Sequence, residues 1–230
     1  MKFFDSLISE TESLIASFNQ TCLAKSIPWH DAGQNQVIMR RDTAFELEGV
    51  GFNLVTSDAV EDGIILLGDD LGEIGENRKF ARISVICIED SDDEQKAYNL
   101  IKKIDYVKYH CFPDGYMMRS TSRSHKEAVR VSKEAVKYGI SFQKIGSLLI
   151  EKYKENPAVK GVKVIFITAP EADYQSAERI AEKNYAITET LNHIMNNIVF
   201  DCDTCNLKAV CDEVEGMREL HFGKMGSMGE

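Results

Sequence analysis

The chain has 230 residues, of which 43% are hydrophobic and 28% are charged, a composition typical of a soluble globular protein with one large domain or two small ones. Its formal net charge of −10 argues against a general nucleic-acid or anionic-membrane binder. The sequence contains no run of about 18 apolar residues and no signal peptide, so we expect a cytoplasmic protein without a membrane span.

The first part of the chain predicts a helix followed by a connection. Apolar side chains recur at three- and four-residue spacing over residues 2–19, which is typical of an amphipathic helix. Residues 20–43 have mixed polarity and contain Pro28 and Gly33, so we interpret them as a connecting segment. We therefore predict an N-terminal unit over residues 1–43.

Residues 44–199 predict a central domain of mixed strands and helices. Short apolar, β-branched or alternating runs predict strands, among them 45–54, 64–67, 83–88 and 162–168. Helical spacing and capping residues predict helices at 97–107, 132–138, 141–156 and 172–198. The elements do not follow a strict βαβ rhythm, so the predicted fold class is α+β, a mixed sheet with flanking helices, an N-terminal helix and a C-terminal cysteine-rich segment.

Residues 200–230 form a predicted metal-binding tail. The pattern Cys202-x2-Cys205-x5-Cys211 gathers three of the six cysteines within ten residues. In a reducing compartment this clustering favours a metal site, and thiolates suit zinc or an iron–sulfur cluster. We favour a [4Fe–4S] cluster, because zinc sites more often show two C-x-x-C pairs or paired histidines. The alternatives are free thiols or a C-x-x-C redox pair.

A zinc ion or an iron–sulfur cluster usually has four protein ligands, and only three cysteines lie in this segment. The fourth ligand could come from another protein or from elsewhere in the chain. The candidates within the chain are His221, Cys22, Cys87 and Cys111.

The stretch MMRSTSRSHKEAVR is locally basic in an acidic chain. Arg119, Arg123 and Arg130 lie in it, and the planar guanidinium group suits phosphate and carboxylate. They are candidates for an anion site that takes a nucleotide-like cofactor tail. The alternative is a solvated loop whose charges pair with nearby acids.

Four stretches carry a resemblance to a known family, namely FELEGVGFNLV, GIILLGDDLGEIGENRKFARISVICIED, RVSKEAVKYGISFQKIGSLLIEKYKENP and KVIFITAPEADYQ. From about Arg41 to Tyr174 the chain resembles the central domain of the β subunit of the carbon monoxide dehydrogenase/acetyl-CoA synthase complex. The resemblance implies a role in the one-carbon metabolism of an anaerobe, with that complex or a corrinoid protein as partner. It also implies a cluster-binding role for the three clustered cysteines and coenzyme A binding by the three arginines.

The chain departs from the family pattern at its cysteines. The spacing to the third cysteine is shorter, the fourth is missing, and no C-x-C motif follows before Glu230. We therefore expect that this polypeptide does not assemble the family's nickel–iron–sulfur site alone, which leaves catalysis open. An accessory role in electron transfer, metal delivery or docking is the favoured hypothesis. The alternative is a zinc-stapled interaction module without redox function.

Overall fold

A computed structural model describes residues 2–90, 93–121, 123–196 and 205–226 of the chain. In this part of the chain one mixed sheet has the strand order β1-β3-β7-β4-β2-β6-β5. The strands are β1 (Thr21–Leu23), β2 (Thr43–Thr56), β3 (Gly63–Leu67), β4 (Arg78–Ile88), β5 (Tyr116–Ser120), β6 (Lys126–Ser132) and β7 (Val159–Ile167). Strands β2 and β4 pair in parallel, as do β3 and β7, and the other neighbours are antiparallel.

The helices flank this sheet, so the predicted α+β class is confirmed. They are α1 (Asp5–Ala16), α2 (Glu94–Val107), α3 (Lys133–Lys137), α4 (Phe142–Lys154), α5 (Tyr174–Met195), α6 (Lys208–Glu213) and α7 (Met217–Gly226). No helix of the described residues is long and apolar enough to cross a membrane.

The two faces of the sheet are covered by different helices. On one face Phe142 of α4 packs against Phe80 and Phe166, with ring centroids 6.0 and 4.5 Å away. Lys79 precedes Phe80 and therefore points to the opposite face, where its ammonium group lies over the ring of Tyr174 in α5. Helix α1 packs against α5. Because both faces are buried, the central strands have long runs of buried residues rather than a strict alternation of buried and exposed ones.

The predicted strands 64–67, 83–88 and 162–168 are confirmed as neighbours in one sheet; they correspond to β3, β4 and β7, and β7 ends one residue earlier than predicted, at Ile167. Two predicted helix boundaries also hold. Ser141 caps α4 by accepting a hydrogen bond from the backbone N–H of Lys144, and Gly139 ends α3 with a positive φ of 74°.

The connecting segment contributes more to the fold than its sequence predicts. Residues 21–23 form the edge strand β1, which pairs with β3. The sequence did not predict this strand, because three residues are too few to show a period. The side chain of Trp29 donates a hydrogen bond to the carbonyl of Asp114, next to β5. The proposed unit boundaries after residues 43 and 199 stay predictions.

Candidate functional site

The basic stretch forms a groove beside the edge of the sheet. Arg130 on β6 and Arg119 on β5 lie on one face, and they line a groove of about 150 Å³ together with Glu46 and Glu48 of β2. The guanidinium Nε of Arg130 donates to Glu46 Oε1 at 2.7 Å, so this arginine is already paired. Arg123 is exposed in the connection between β5 and β6 and does not line the groove. Coenzyme A binding by these arginines stays a prediction.

The cysteine segment lies on the α5 side of the molecule. Cys205 precedes α6 and Cys211 lies within it; both are half-buried, and neither is in a disulfide. Cys202 lies outside the described residues, so the predicted set of three is not complete in the structure. No group of three or more His, Cys, Asp and Glu side chains among the described residues is arranged to hold a metal ion. Half-buried thiols fit zinc or iron in donor type and accessibility, and the metal site stays a prediction.

The candidates for a fourth ligand differ in their position. Cys111 and Cys87 are buried in the core, and burial together with Asp31 raises the pKa of the Cys111 thiol to about 12. Cys22 is exposed on the edge strand β1. His221 is half-buried on α7, which packs against α6. Of these four residues, His221 lies on the element in direct contact with the cysteine-bearing helix.

A buried polar cluster is the feature that the sequence interpretation missed. We name it the Arg82 cluster, and its members are Arg82, Glu127, Asn53, Ser84, Asp105, Lys108, His125 and Tyr153. A charged side chain in the middle of the apolar run FARISVICI was the available signal, because a buried charge needs a partner.

An Arg82–Glu127 ion pair forms the centre of the cluster. Both side chains are fully buried, and Arg82 Nε and Nη2 donate to the two carboxylate oxygens of Glu127 at 2.9 and 2.8 Å. Burial alone would lower the pKa of Arg82, but the charge of Glu127 raises it, so the guanidinium stays protonated. Gly51 of β2 lies beside the carboxylate, where an added Cβ would come within 2.0 Å of Glu127 Oε2. Glycine at position 51 therefore makes room for the ion pair.

The cluster ties two helices to the sheet. Tyr153 of α4 donates its hydroxyl to Asn53 Oδ1 at 2.7 Å, and the amide of Asn53 reaches Asp105 of α2 at 3.4 Å. The ammonium of Lys108 donates to Asp105 at 2.8 Å. One network thus fixes the positions of α2 and α4 relative to β2, β4 and β6.

The network ends at a strained histidine. His125 has φ of 47°, and its Nδ1 lies 3.3 Å from Nζ of Lys108. Burial and the charge of Lys108 lower the pKa of His125 to about 4, so the ring is neutral near pH 7. The hydroxyls of Tyr109 and Tyr116 are buried without a hydrogen-bond partner among the described residues. The contacts of the cluster therefore support one role directly, the positioning of α2 and α4 against the sheet.

The central domain that holds this cluster matches a family model, that of the CO dehydrogenase/acetyl-CoA synthase complex beta subunit, over residues 31–172. The match covers more than half of the 230-residue chain. The chain belongs to this family. No curated protein matches the chain.

Some candidate residues lie inside the range that the family model matches, and others lie outside it. Every member of the Arg82 cluster and all three arginines of the basic stretch lie within residues 31–172. The clustered cysteines lie beyond it. The resemblance inferred from the four sequence stretches is confirmed.

Proposed function

We propose that this protein is an accessory component of CO dehydrogenase/acetyl-CoA synthase metabolism in the cytoplasm of an anaerobe. It holds an iron–sulfur cluster through Cys202, Cys205 and Cys211, and it docks with the synthase complex or a corrinoid protein. The observation that supports this proposal is the family match over residues 31–172, together with three closely spaced cysteines beyond helix α5.

The position of the cysteine-bearing helix supports a role in contact with a partner. Helix α6 packs on α5 and α7, and the residues Cys205 and Cys211 remain partly exposed. A cluster held there would supply one-electron transfer close to the protein surface. The thiols of this chain would bind and orient it, and a partner or His221 would complete the ligand set.

Cys205→Ser is expected to abolish bound iron while the sheet domain stays folded, since a cluster depends on its thiolate ligands and Cys205 lies outside the core. Iron and acid-labile sulfide would be measured after anaerobic purification, and the fold would be checked by circular dichroism. Asn206→Ser is the matched control, because Asn206 is an exposed neighbour of Cys205 without a thiol, and it should keep the wild-type iron content. Equal iron in both variants would remove Cys205 from the ligand set, and stoichiometric zinc in place of iron would support the interaction module instead.

Arg123→Ala is expected to weaken coenzyme A binding about tenfold, because a hydrogen bond to a charged group contributes about 1.5 kcal/mol or more. Isothermal titration calorimetry would compare it with wild type and with Arg179→Ala, a control that removes an exposed arginine from α5. Unchanged affinity in Arg123→Ala, or no heat of binding from wild type at millimolar coenzyme A, would count against the coenzyme A site.

A further inference from the structure

Strand β5 is an edge of the sheet, and its outer side has unpaired backbone groups. The backbone bonds Ser132 N–H to Gly115 C=O and Thr121 N–H to Lys126 C=O show that odd-numbered residues of this strand bond to β6. Successive residues of a strand direct their backbone groups to opposite sides. The even-numbered residues of β5 therefore direct their N–H and C=O groups away from the sheet.

Two of these even-numbered residues offer an open donor and acceptor. The N–H of Tyr116 is bonded to the carbonyl of Pro113. The backbone N–H and C=O groups of Met118 and Ser120 have no hydrogen-bond partner among the described residues. These four groups are spaced as an added antiparallel strand requires.

The surroundings of this edge are basic, although the chain as a whole has a net charge of −10. Three exposed cations on β5, on β6 or in the connection between them have no ion-pair partner in the described part of the chain; they are Arg119, Arg123 and Lys126. Residues 37–39 pass beside β5, since the N–H of Ile38 contacts the sulfur of Met117. The side chains of Val37 and Met39 are 67% and 55% exposed.

Charged side chains and a short length are common on edge strands, where they often serve only to prevent aggregation. Here the exposed charges without an ion-pair partner on β5, on β6 and in their connection are positive, although Glu46 and Glu48 lie in the groove beside Arg119. These positive charges disfavour pairing with the same edge of a second copy and favour an acidic segment. Exposed Val37 and Met39 add apolar contact area, which a purely protective edge would lack.

We propose that the outer edge of β5 binds an extended acidic segment of a partner polypeptide as an additional strand. Main-chain bonds to Met118 and Ser120 provide affinity, and Arg119 and Arg123 select carboxylate side chains. This inference deepens the docking role proposed above and is independent of the cysteines. Failure of the metal site and failure of strand addition can be distinguished, because Cys205→Ser should lose the metal and still bind the acidic segment.

Met118→Pro tests the proposal directly. Proline removes the outward N–H of Met118 but no bond to β6, and proline is tolerated on edge strands in that orientation. The probe is a fluorescent decapeptide of alternating valine and glutamate, measured by fluorescence anisotropy, and its valine–lysine counterpart is the charge control. We expect Met118→Pro to weaken binding of the acidic peptide at least tenfold. Met118→Ala, which keeps the N–H and loses the side chain, should bind within about twofold of wild type.

A charge-reversal pair keeps the test informative if Met118→Pro does not fold. Arg119→Glu should weaken binding about tenfold, whereas Arg179→Glu on α5 should leave it unchanged. In wild type the peptide should slow amide hydrogen exchange at Met118 and Ser120. The proposal is overturned if wild type shows no saturable binding at millimolar acidic peptide, or if it binds the basic peptide as well. It is also overturned if the proline and alanine variants bind equally, or if both charge reversals have the same effect.

Discussion

Replacing Arg82 with methionine is expected to lower the free energy of unfolding by about 3–5 kcal/mol, because the variant leaves a buried carboxylate without its charge partner. Glu127 is 1% exposed and accepts three hydrogen bonds from Arg82 and one from Ser120, so water cannot replace the lost donors. Urea denaturation followed by circular dichroism would measure the change.

The controls for this prediction separate burial from charge pairing. Arg130→Met breaks the partly exposed pair with Glu46 and should cost about 1 kcal/mol or less. The double variant Arg82→Met/Glu127→Leu removes both buried charges and should recover most of the stability, since a buried ion pair is often replaceable by apolar groups. A loss below about 1 kcal/mol in Arg82→Met, or a double variant no more stable than either single variant, would contradict the assignment of this pair.

Gly51→Ala is expected to destabilise the fold by about 3 kcal/mol, although it adds a single methyl group. The new Cβ would lie 2.0 Å from Glu127 Oε2. The hydrogen bonds from the Arg82 guanidinium group hold that carboxylate in place, so it does not move aside. Thermal or urea unfolding would show the effect. Gly72→Ala is the matched control, because no atom lies within 4 Å of its added Cβ, and its stability should stay within about 0.5 kcal/mol of wild type.

A double-mutant cycle identifies the cause of that loss. In a Glu127→Ala background the methyl group meets no carboxylate, so Gly51→Ala should cost much less there than in wild type. An equal cost in both backgrounds would mean that the alanine strains the backbone of β2 rather than the ion pair.

The sequence predicted the features that depend on neighbouring residues. Continuous apolar runs placed three buried strands, and Ser141 and Gly139 marked helix ends, because the physics of strand burial and of capping is local. The short strand β1 was missed for the same reason, since three residues carry no period.

The partner of Arg82 could not be predicted because the central contact of the Arg82 cluster is not local. Arg82 and Glu127 are 45 positions apart, and Glu127 lies in a stretch whose other charges are mostly positive. Arg130 illustrates the same limit, because its partner Glu46 is 84 positions away. Because Arg130 is paired with Glu46, it has less positive charge available for an anion than the sequence alone indicated. Arg119 and Arg123 are therefore the stronger candidates for the anion site.

Family membership and the site on this chain are separate conclusions. The match over residues 31–172 relates the sheet domain to the CO dehydrogenase/acetyl-CoA synthase beta subunit. The proposed redox role rests on three cysteines outside that match, and function depends on sites rather than on a fold.

The metal content of the anaerobically purified wild-type protein tests the central claim most directly. Iron, zinc and acid-labile sulfide would be measured per chain in one preparation. A [4Fe–4S] cluster predicts about four irons and four sulfides per chain, with little zinc. A preparation that holds neither iron nor zinc in stoichiometric amount would contradict a metal site at Cys202, Cys205 and Cys211.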